Sequence, residues 1–329
     1  MSLPLPDSVA GRDPDPDLAA ARSASVFASL THLGVLQFGG EDAQVFLQGQ
    51  LTCDVADIGA SRSTHGAYCS PKGRMLASFL LWREGADFFM ALSRDLVDAI
   101  HKRILKFVLR SRVSVSDASG SILLHGLAGP KAEGAVRNLF RAAPDEPNML
   151  SREDGIGTAI MLTDGRFVLA SKASTVPAVE QRLAATLKRV DPRAWRWLEI
   201  RNGVPLVTAA TQDRLVPQMA NLELLGGVSF TKGCYTGQEI VARTQHLGKV
   251  KRRMFLANAA AAAAAGDELY CEDLGEQASG LVVNAEASPD GGCDLLAVVP
   301  SESRERSVVH LGSLGGPVLR FLALPHGAA

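Results

Sequence analysis

Apolar and polar residues alternate along the first part of the chain in short blocks that predict strands joined by turns and helices. The run VLQF, followed by glycines and acidic residues, predicts a strand and then a turn before a helix. Two apolar runs that flank a Glu-Gly-Ala turn predict a hairpin, and apolar residues spaced four apart predict a helix after it. The predicted elements are a strand from 35, a helix at 43–51, strands at 76–83 and 87–92, a helix at 95–109 and a strand at 112–117. This order is typical of an α+β layer.

A similar set of elements returns in the next part of the chain, so the pattern predicts two α+β modules. The predicted elements are strands at 121–127, 158–162 and 166–171, a helix that begins at 130 and a helix at 181–189, with an exposed connection at 142–157. Further on, we interpret the run of seven alanines at 259–265 as an insertion or linker. The strand-like pieces at 280–285, 293–299, 308–311 and 317–322 predict a small all-β domain.

Length and composition place the chain among ordinary globular proteins. At about 100 to 200 residues per domain, its 329 residues predict two or three domains, and 47% hydrophobic residues with 21% charged residues is typical of a folded chain. The 34 Lys and Arg nearly balance the 35 Asp and Glu, so we predict no direct nucleic-acid binding.

The Pro- and Asp-rich start, 1–24, predicts a disordered leader that lacks the features of a secretion signal. Because no apolar stretch is long enough to span a membrane, we predict a cytoplasmic protein.

The strongest candidate for chemistry is the stretch SFTKGCYTGQEIVAR, from 229 to 243. Its glycines predict a tight loop, and the apolar pattern after Gly237 predicts the start of a helix, which lowers the pKa of a nearby thiol. This favours Cys234 as a reactive cysteine with Lys232 beside it, and the alternative is a buried structural cysteine in a glycine turn. The five cysteines form an odd set without a CxxC pair, so we predict neither a disulfide framework nor a metal site.

Three other features are compatible with either a binding role or a structural role. The turn SPKGR at 70–74 offers cations to a carboxylate or phosphate, but a solvated hairpin turn is the more common meaning of such a sequence. Trp195 or Trp197 can stack on a flat heterocycle, although residues two apart do not share a helical face, which leaves one of them for packing. The basic residues between 243 and 253 fit either a polyanion or a solvated domain junction, and they lack the interleaved aromatics that favour RNA.

The stretch KGCYTGQE, at 232–239, resembles the signature of the YgfZ family of folate-binding proteins. The resemblance runs from about residue 30 to the C-terminus and is reinforced by GEDAQVFLQGQLTCDV (40–55), SPKGR (70–74), NGVP (202–205) and PQMANLELLGGVSF (217–230). This family is similar in fold to the T-protein of the glycine cleavage system, an aminomethyltransferase. The resemblance implies an α+β ring of domains with tetrahydrofolate in a central channel. On this basis we expect two intertwined ferredoxin-like modules over 25–246 and a small C-terminal β-barrel over 247–329.

The resemblance also implies roles for particular residues. It makes Cys234 the functional thiol, with Lys232 and Arg243 as its electrostatic partners. The residues that it places at the folate site are Trp195, as the aromatic neighbour of the pterin, together with Arg201, Gln238 and Glu239.

The chain departs from the transferase at several matching positions. A pair of aspartates in the transferase, one of which acts at the reaction centre, falls on Ala77 and Ser78, and neither of these residues carries a carboxylate. Arg201 stands where the transferase has a folate-contacting glutamate, and Leu33 stands where the family has an aromatic residue. We therefore expect a protein that is not a classical enzyme and that holds the pterin differently.

Three functional hypotheses follow from the resemblance. The first is a tetrahydrofolate-binding accessory protein that supports assembly or repair of iron-sulfur proteins, including tRNA-modifying enzymes, through Cys234. Its partners are folate and the iron-sulfur proteins or their assembly machinery. The second is a folate-dependent one-carbon transferase in which another group replaces the missing carboxylate. The third is an interaction scaffold that binds no folate.

Overall fold

The computed structural model describes residues 15–246 and 250–325, and within them three β-sheets carry helices on their faces. The strands are β1 Val26–Ser29, β2 Leu33–Gly39, β3 Thr64–Cys69, β4 Met75–Glu84, β5 Asp87–Ser93, β6 Ser114–Asp117, β7 Ile122–Ala128, β8 Leu150–Glu153, β9 Gly157–Met161, β10 Phe167–Lys172, β11 Lys188–Arg189, β12 Arg252–Ala259, β13 Glu268–Cys271, β14 Gly280–Ala287, β15 Cys293–Pro300, β16 Val309–Leu311 and β17 Leu319–Leu322. The α-helices are α1 Pro16–Ser23, α2 Ala43–Gln48, α3 Val97–Val108, α4 Ala132–Leu139, α5 Val176–Ala184, α6 Pro192–Arg201, α7 Gln238–His246 and α8 Ser301–Arg306. We call the sheets first (β3-β4-β5-β2-β6), second (β11-β1-β7-β10-β9-β8) and third (β16-β13-β14-β15-β12-β17).

The first sheet is antiparallel and contains the hairpin that the sequence predicts. Glu84 pairs with Asp87, which leaves Gly85 and Ala86 as a two-residue turn, and Gly85 has the positive φ that such a turn requires. One face of this sheet packs on α2, α3 and the third sheet, and the other packs on the second sheet. Because both faces are covered, the strand at β4 is apolar without alternation over most of its length.

The second sheet joins the first sheet to a layer of helices. β1 pairs antiparallel with β7 and parallel with β11. α4 and α5 cover one face, while α1 and α6 lie over the other face, where the sheet shares a core with Trp82 and Phe89 of the first sheet. These two rings stack with centroids 5.6 Å apart. The helix α6 therefore lies where the two sheets meet.

Two sequence predictions in this region need correction. The helix expected at 181–189 is α5, which begins earlier at Val176–Ala184, because Pro177 fits the first turn of a helix. Residues 188 and 189 are instead a short strand, since they pair with Val26 and Phe27 of β1. The connection expected at 142–157 contains β8, which pairs with β9.

The leader expected to be disordered through residue 24 is helical over Pro16–Ser23. Asp15 caps α1 by accepting a hydrogen bond from the backbone N–H of Asp17, and Pro16 occupies the first turn. Leu18 and Ala21 are buried against the second sheet and α6. The helix α1 is therefore stabilised because its two apolar residues pack on the second sheet and α6. Residues 1–14 of the expected leader lie outside the described residues.

The third sheet is the C-terminal β-structure that the sequence predicts. It curls so that its edge strand β16 approaches the residues just before the other edge strand, β17: His310 forms an isolated bridge with Val318, and the N–H of Leu311 donates to the carbonyl of Pro317 at 2.9 Å. This sheet is therefore a curled half-barrel. Of the alanine run at 259–265, only the first residue belongs to a strand, and the others form no helix. The strands β12, which follows the basic run, and β13 were not predicted from the sequence.

Among the described helices, none combines the length and the apolar character needed to cross a membrane. The expected boundary between residues 246 and 247 borders residues 247–249, which lie outside the described part of the chain. The division into domains at that point remains a prediction.

Candidate functional site

The loop that carries the KGCYTGQE sequence is anchored by a buried lysine. Lys232 donates from Nζ to the backbone carbonyls of Gln48, Leu51 and Cys53 at 2.6, 2.8 and 2.8 Å. These carbonyls lie at the C-terminal end of α2 and just after it, where a helix leaves its last carbonyl oxygens without partners. Burial lowers the pKa of Lys232. The three donors of its ammonium group are thus used to fix the loop to the first sheet's module.

Next to this anchor the loop presents a thiol to solvent. Cys234 is exposed, whereas the other four cysteines are buried. Tyr235 turns back inward, is 6% exposed and holds its ring 5.2 Å from the Lys232 ammonium. Burial raises the pKa of Cys53 and of Cys69 to about 12, which keeps both thiols protonated. Cys234 is therefore the accessible thiol of this chain.

Lys232 and Arg243, the two expected electrostatic partners of this thiol, bond to other groups in the structure. Lys232 is bonded to the three carbonyls described above. Arg243 pairs with Glu239 at 3.0 Å across one turn of α7, and both side chains are exposed. Gln238 is the first residue of that helix. Cys234 and Glu239 are thus exposed near the start of α7, and Gln238 is half-buried.

The turn SPKGR packs directly against this loop. A Cβ atom on Gly237, which has φ +84°, would lie 2.5 Å from the carbonyl oxygen of Ser70. A Cβ atom on Gly73, which has φ +69°, would lie 2.8 Å from the Cβ of Ile240. Both glycines are needed for this close approach, because a side chain fits neither the backbone conformation nor the space. Two stretches far apart in sequence therefore form one surface.

A second group of polar residues lies in the interior, around Glu199 of α6. Two cavities of about 50 and 190 Å³ share Glu199, Val204 and Leu206 in their walls. The smaller cavity is lined mainly by apolar side chains of the first and second sheets and also by His65 and Ser78. The larger lies towards the third sheet and the alanine run. Glu199 thus lies in a wall that the two cavities share.

The charge state of this interior group follows from its neighbours. Burial acts to raise the pKa of Glu199, but His32, Arg166 and the Trp195 N–H outweigh it, and the pKa is lowered. The Nε2 atom of His32 lies 3.6 Å from the carboxylate. Burial lowers the pKa of His65 and keeps its ring neutral. The pocket therefore combines an ionised carboxylate with a neutral imidazole.

Arg166 is the cation of this interior group. It is 5% exposed, its Nε donates to Asp164 at 2.5 Å, and its guanidinium lies 4.5 Å from the centre of the Trp195 ring. Its two terminal nitrogens have no hydrogen-bond partner among the described residues. Trp195 itself is 1% exposed, and Gly126 lies so close to its ring that a Cβ there would approach within 2.3 Å. The indole expected beside a pterin is thus in contact with Arg166 and with β7.

The remaining expected site residues, Arg201 of α6 and Gln238 and Glu239 of α7, lie outside the two interior cavities. Arg201 lies 3.6 Å from Asp294 and 6.0 Å from the centre of the Trp197 ring, and the Trp197 N–H donates to the same carboxylate at 2.8 Å. Arg201 lines neither interior cavity, and the same is true of Gln238 and Glu239.

Ser78 and Leu33 do line the interior pocket. The Ser78 hydroxyl is used within the protein, since it donates to the Pro205 carbonyl and accepts from the Val207 N–H, both at 2.9 Å. Ala77 is fully buried. The Ser78 hydroxyl therefore holds the segment 205–207 in place.

Sequence reasoning missed the interior group, whose members are His32, His65, Arg166 and Glu199. The helix with two tryptophans was recognised, but nothing in its pattern distinguished Glu199 from a solvated acid. Within the described residues, no group of three or more His, Cys, Asp or Glu is arranged to hold a metal ion.

Comparison with known proteins adds a family context to this geometry. A family model described as the GCVT N-terminal domain matches residues 15–191. The chain is 33% identical over 301 residues to the tRNA-modifying protein YgfZ of Enterobacter sp. (strain 638), with 90% of this chain and 91% of the relative covered. It is 31% identical over 304 residues to the tRNA-modifying protein YgfZ of Colwellia psychrerythraea, with 90% and 92% covered.

A solved structure shares the fold. The glycine cleavage system aminomethyltransferase T from Bartonella henselae superimposes with a TM-score of 0.78 at 16% identity, covering 94% of this chain and 88% of that one. At this identity the similarity speaks for the fold alone. The expected α+β architecture of the T-protein is therefore confirmed, and the expected C-terminal β-barrel is a curled half-barrel.

Proposed function

Because the chain belongs to the family of YgfZ tRNA-modifying proteins and carries a GCVT N-terminal domain, we propose that it is a tetrahydrofolate-binding accessory protein. In this role it supports the assembly or repair of iron-sulfur proteins, including enzymes that modify tRNA, in the cytoplasm. The observation that carries the proposal is the exposed Cys234 on a loop that Lys232 anchors through three hydrogen bonds.

The position of Cys234 favours contact with another protein over chemistry inside a pocket. A thiol at the surface is reached by a cluster, a persulfide or a thiol held by a partner. The anchor keeps the loop in one geometry without using Cys234 itself, so partner binding does not have to order the loop first. The thiol is therefore presented in advance.

We propose that the pterin is held by the interior group. An ionised carboxylate such as Glu199 accepts hydrogen bonds from the ring N–H and amino group of a pterin, and the apolar walls of the pocket suit its flat faces. Arg166 lines neither cavity, and its positive charge helps to keep the pKa of Glu199 low and the carboxylate ionised. Bound tetrahydrofolate would supply a one-carbon carrier. In this proposal Glu199 takes the place of the glutamate that the transferase has at the position of Arg201.

Folate binding is tested by calorimetric titration of the reduced protein with tetrahydrofolate. We expect saturable binding that Glu199→Gln weakens at least tenfold, because the neutral amide replaces a charge-assisted acceptor by a weaker one. Glu133→Gln, a change at an exposed residue of α4, is the matched control and is expected to bind like the unaltered protein. An unaltered protein that binds no tetrahydrofolate would favour the scaffold hypothesis.

The thiol role is tested in cells that lack this protein, by the activity of an iron-sulfur tRNA-modifying enzyme. We expect the unaltered chain to restore the activity and Cys234→Ser to fail, while the purified Cys234→Ser protein still binds tetrahydrofolate. Full restoration by Cys234→Ser would show that the thiol is not needed.

Glu199 also supports the second hypothesis, a folate-dependent one-carbon transferase. It supplies a carboxylate inside the pocket where Ala77 and Ser78 do not. Turnover of an aminomethyl or formyl donor that depends on Glu199 would establish this activity, and its absence with folate bound would leave the accessory role.

A further inference from the structure

An open cleft of about 500 Å³ lies between the body of the protein and the third sheet. Its walls come from the SPKGR turn, the segment 214–219, α7 and strands β12 to β15. Its volume falls within the range of about 300–1,000 Å³ that is usual for ligand sites. We call it the basic cleft, and its lining residues are Lys72, Arg74, Arg214, Leu215, Val216, Met219, Ile240, Arg252, Glu268, Ala278, Ser279, Gly280, Leu281 and Val298.

The rim of the basic cleft carries an excess of positive charge. Lys72, Arg74, Arg214 and Arg252 line it and are exposed, and Glu268 is the one acidic residue of this described lining. None of the four cations forms a salt bridge within the described residues. A concave site lined by one sign of charge focuses the field and attracts ligands of the opposite sign. The cleft therefore favours an anion.

The hydrogen bonds of Arg74 and Arg214 leave the charge of both side chains uncompensated. Arg74 donates to the backbone carbonyl of Asp213 at 3.2 Å, and Arg214 donates to that of Gly266 at 3.3 Å. Each contact orients the guanidinium without bringing a negative charge to it. The single carboxylate of the lining, Glu268, accepts a hydrogen bond from the Tyr270 hydroxyl at 2.9 Å. The cations are thus partly positioned and still available.

The floor of the cleft indicates which kind of anion fits. It is built from aliphatic side chains, among them Val216, Ile240 and Leu281, and no aromatic residue belongs to the described lining. Proteins that bind single-stranded nucleic acids stack the bases on aromatic side chains. A polypeptide with carboxylates next to aliphatic side chains matches both the rim and the floor, so an acidic peptide segment is favoured over RNA.

The basic cleft adjoins the loop that presents Cys234. Ile240 lines the cleft and also packs against Gly73, and Gly237 of the KGCYTGQE loop contacts Ser70 of the same turn. The turn SPKGR is therefore shared by the cleft wall and the support of the thiol loop. A chain that lies in the cleft approaches the surface from which the thiol projects.

We propose that the basic cleft binds an acidic, aliphatic-containing segment of a partner protein. The carboxylates of that segment lie against Lys72, Arg74, Arg214 and Arg252, and an aliphatic side chain lies on the floor. This inference rests on the proposed function, since it names the surface by which the partner of Cys234 is held. It requires no folate and no reaction at the thiol.

The test measures the fluorescence anisotropy of a labelled twelve-residue peptide of alternating Glu and Leu with the full chain at low salt. We expect saturable binding that weakens as salt increases, because the contact is ionic. The double substitution Arg214→Glu and Arg252→Glu is expected to weaken binding at least tenfold. Lys106→Glu with Arg110→Glu, two exposed cations of the α3 region outside the cleft, makes the same change of charge and is expected to change binding less than twofold.

Further probes separate the contributions of rim and floor. A Gln and Leu peptide tests the need for carboxylates, and a Glu and Ser peptide tests the need for the aliphatic floor; both are expected to bind at least fivefold more weakly. Equal weakening by the two double substitutions would overturn the site, because it would show a response to net charge alone. A single-stranded RNA of equal length that binds more tightly than the peptide, and loses binding in the cleft variant, would overturn the acidic-peptide assignment.

The Cys234→Ser protein keeps this inference separate from the proposed function. We expect it to bind the Glu and Leu peptide like the unaltered chain. Peptide binding in the cleft together with full cellular activity of Cys234→Ser would contradict the proposed thiol role only. The reverse result, a required Cys234 with no peptide binding, would contradict the cleft only.

Discussion

Two short segments of this chain each contain a cysteine and a Lys-Gly turn. The fold buries the cysteine of one segment and the lysine of the other. In residues 69–74, Cys69 is fully buried at the end of β3, whereas Lys72 is exposed at the rim of the basic cleft. In residues 232–239, Lys232 is buried against three carbonyl oxygens, whereas Cys234 is exposed.

The difference shows that the neighbours of a residue decide its burial here, and its type does not. Cys69 ends a strand whose two faces are covered, so its side chain enters the core. Lys232 enters the protein because the end of α2 offers carbonyl oxygens that need donors. The two segments contact each other through Gly73 and Gly237. The SPKGR turn therefore supports the loop that exposes Cys234, and that loop supports the turn that exposes Lys72.

The largest expected contrast is in thiol reactivity. A pKa of about 12 for Cys69, in place of 9.0, leaves about a thousandfold less thiolate near neutral pH, and burial also blocks access. Iodoacetamide added to the native protein is therefore expected to alkylate Cys234 first and Cys69 only after unfolding. Peptide mass spectrometry over time measures both rates, with alkylation in urea as the reference. Similar alkylation rates at Cys69 and Cys234 in the native protein would contradict the predicted difference in thiol reactivity.

The next contrast is between the two lysines. Lys232→Met leaves three carbonyls without this donor, two of them in buried contacts, and is expected to lower the free energy of unfolding by about 3 kcal/mol. Lys72→Met changes an exposed side chain and is expected to stay within about 0.5 kcal/mol. Urea denaturation followed by circular dichroism measures both. A small loss for Lys232→Met would mean that water replaces the ammonium at these carbonyls.

A smaller effect separates the two glycines of the KGCYTGQE loop. Gly237→Ala places a Cβ at 2.5 Å from the Ser70 carbonyl oxygen in a left-handed conformation, and we expect a loss of about 2 kcal/mol. A Cβ on Gly233 meets nothing within 4 Å, so Gly233→Ala is expected to change stability by less than about 0.5 kcal/mol. Thermal unfolding of both proteins tests this. Equal losses would show that the loop does not depend on its contact with the turn.

The smallest expected effect on stability is at Arg243. Its pair with Glu239 is exposed on both sides and lies one helical turn apart. Arg243→Ala is expected to change the free energy of unfolding by less than about 0.5 kcal/mol. If this variant also loses activity in the cellular assay with normal folding, Arg243 serves the thiol or its partner. Normal activity would leave it a surface pair.

Local pattern predicted most of the strands and the helices of this chain. The hairpin around Gly85 and the helix that became α3 follow from turn chemistry and apolar spacing, which act over a few residues. Prediction failed where a partner surface decided the outcome. The helix α1 forms on α6 and the second sheet, and β11 exists because β1 lies beside it.

The candidate site divides in the same way. The motif in the sequence identified the loop and its thiol, because a Lys-Gly-Cys turn before a helix is a local feature. The contacts of Lys232 with residues 48–53 are not local, since about 180 positions separate the donor from its acceptors. The same holds for the basic cleft, whose cations come from three distant stretches in a chain with almost no net charge.

The sequence by itself determined the fold class, the family and the thiol that this protein presents, since these depend on periodicity and on a contiguous motif. Tertiary structure alone decided which charged side chains are buried and which are brought together at one site. Glu199, Arg166 and His65 meet in the interior only because the first and second sheets pack around α6. The physical reason is that electrostatic and packing energies depend on distances in space, which no local pattern of residues encodes.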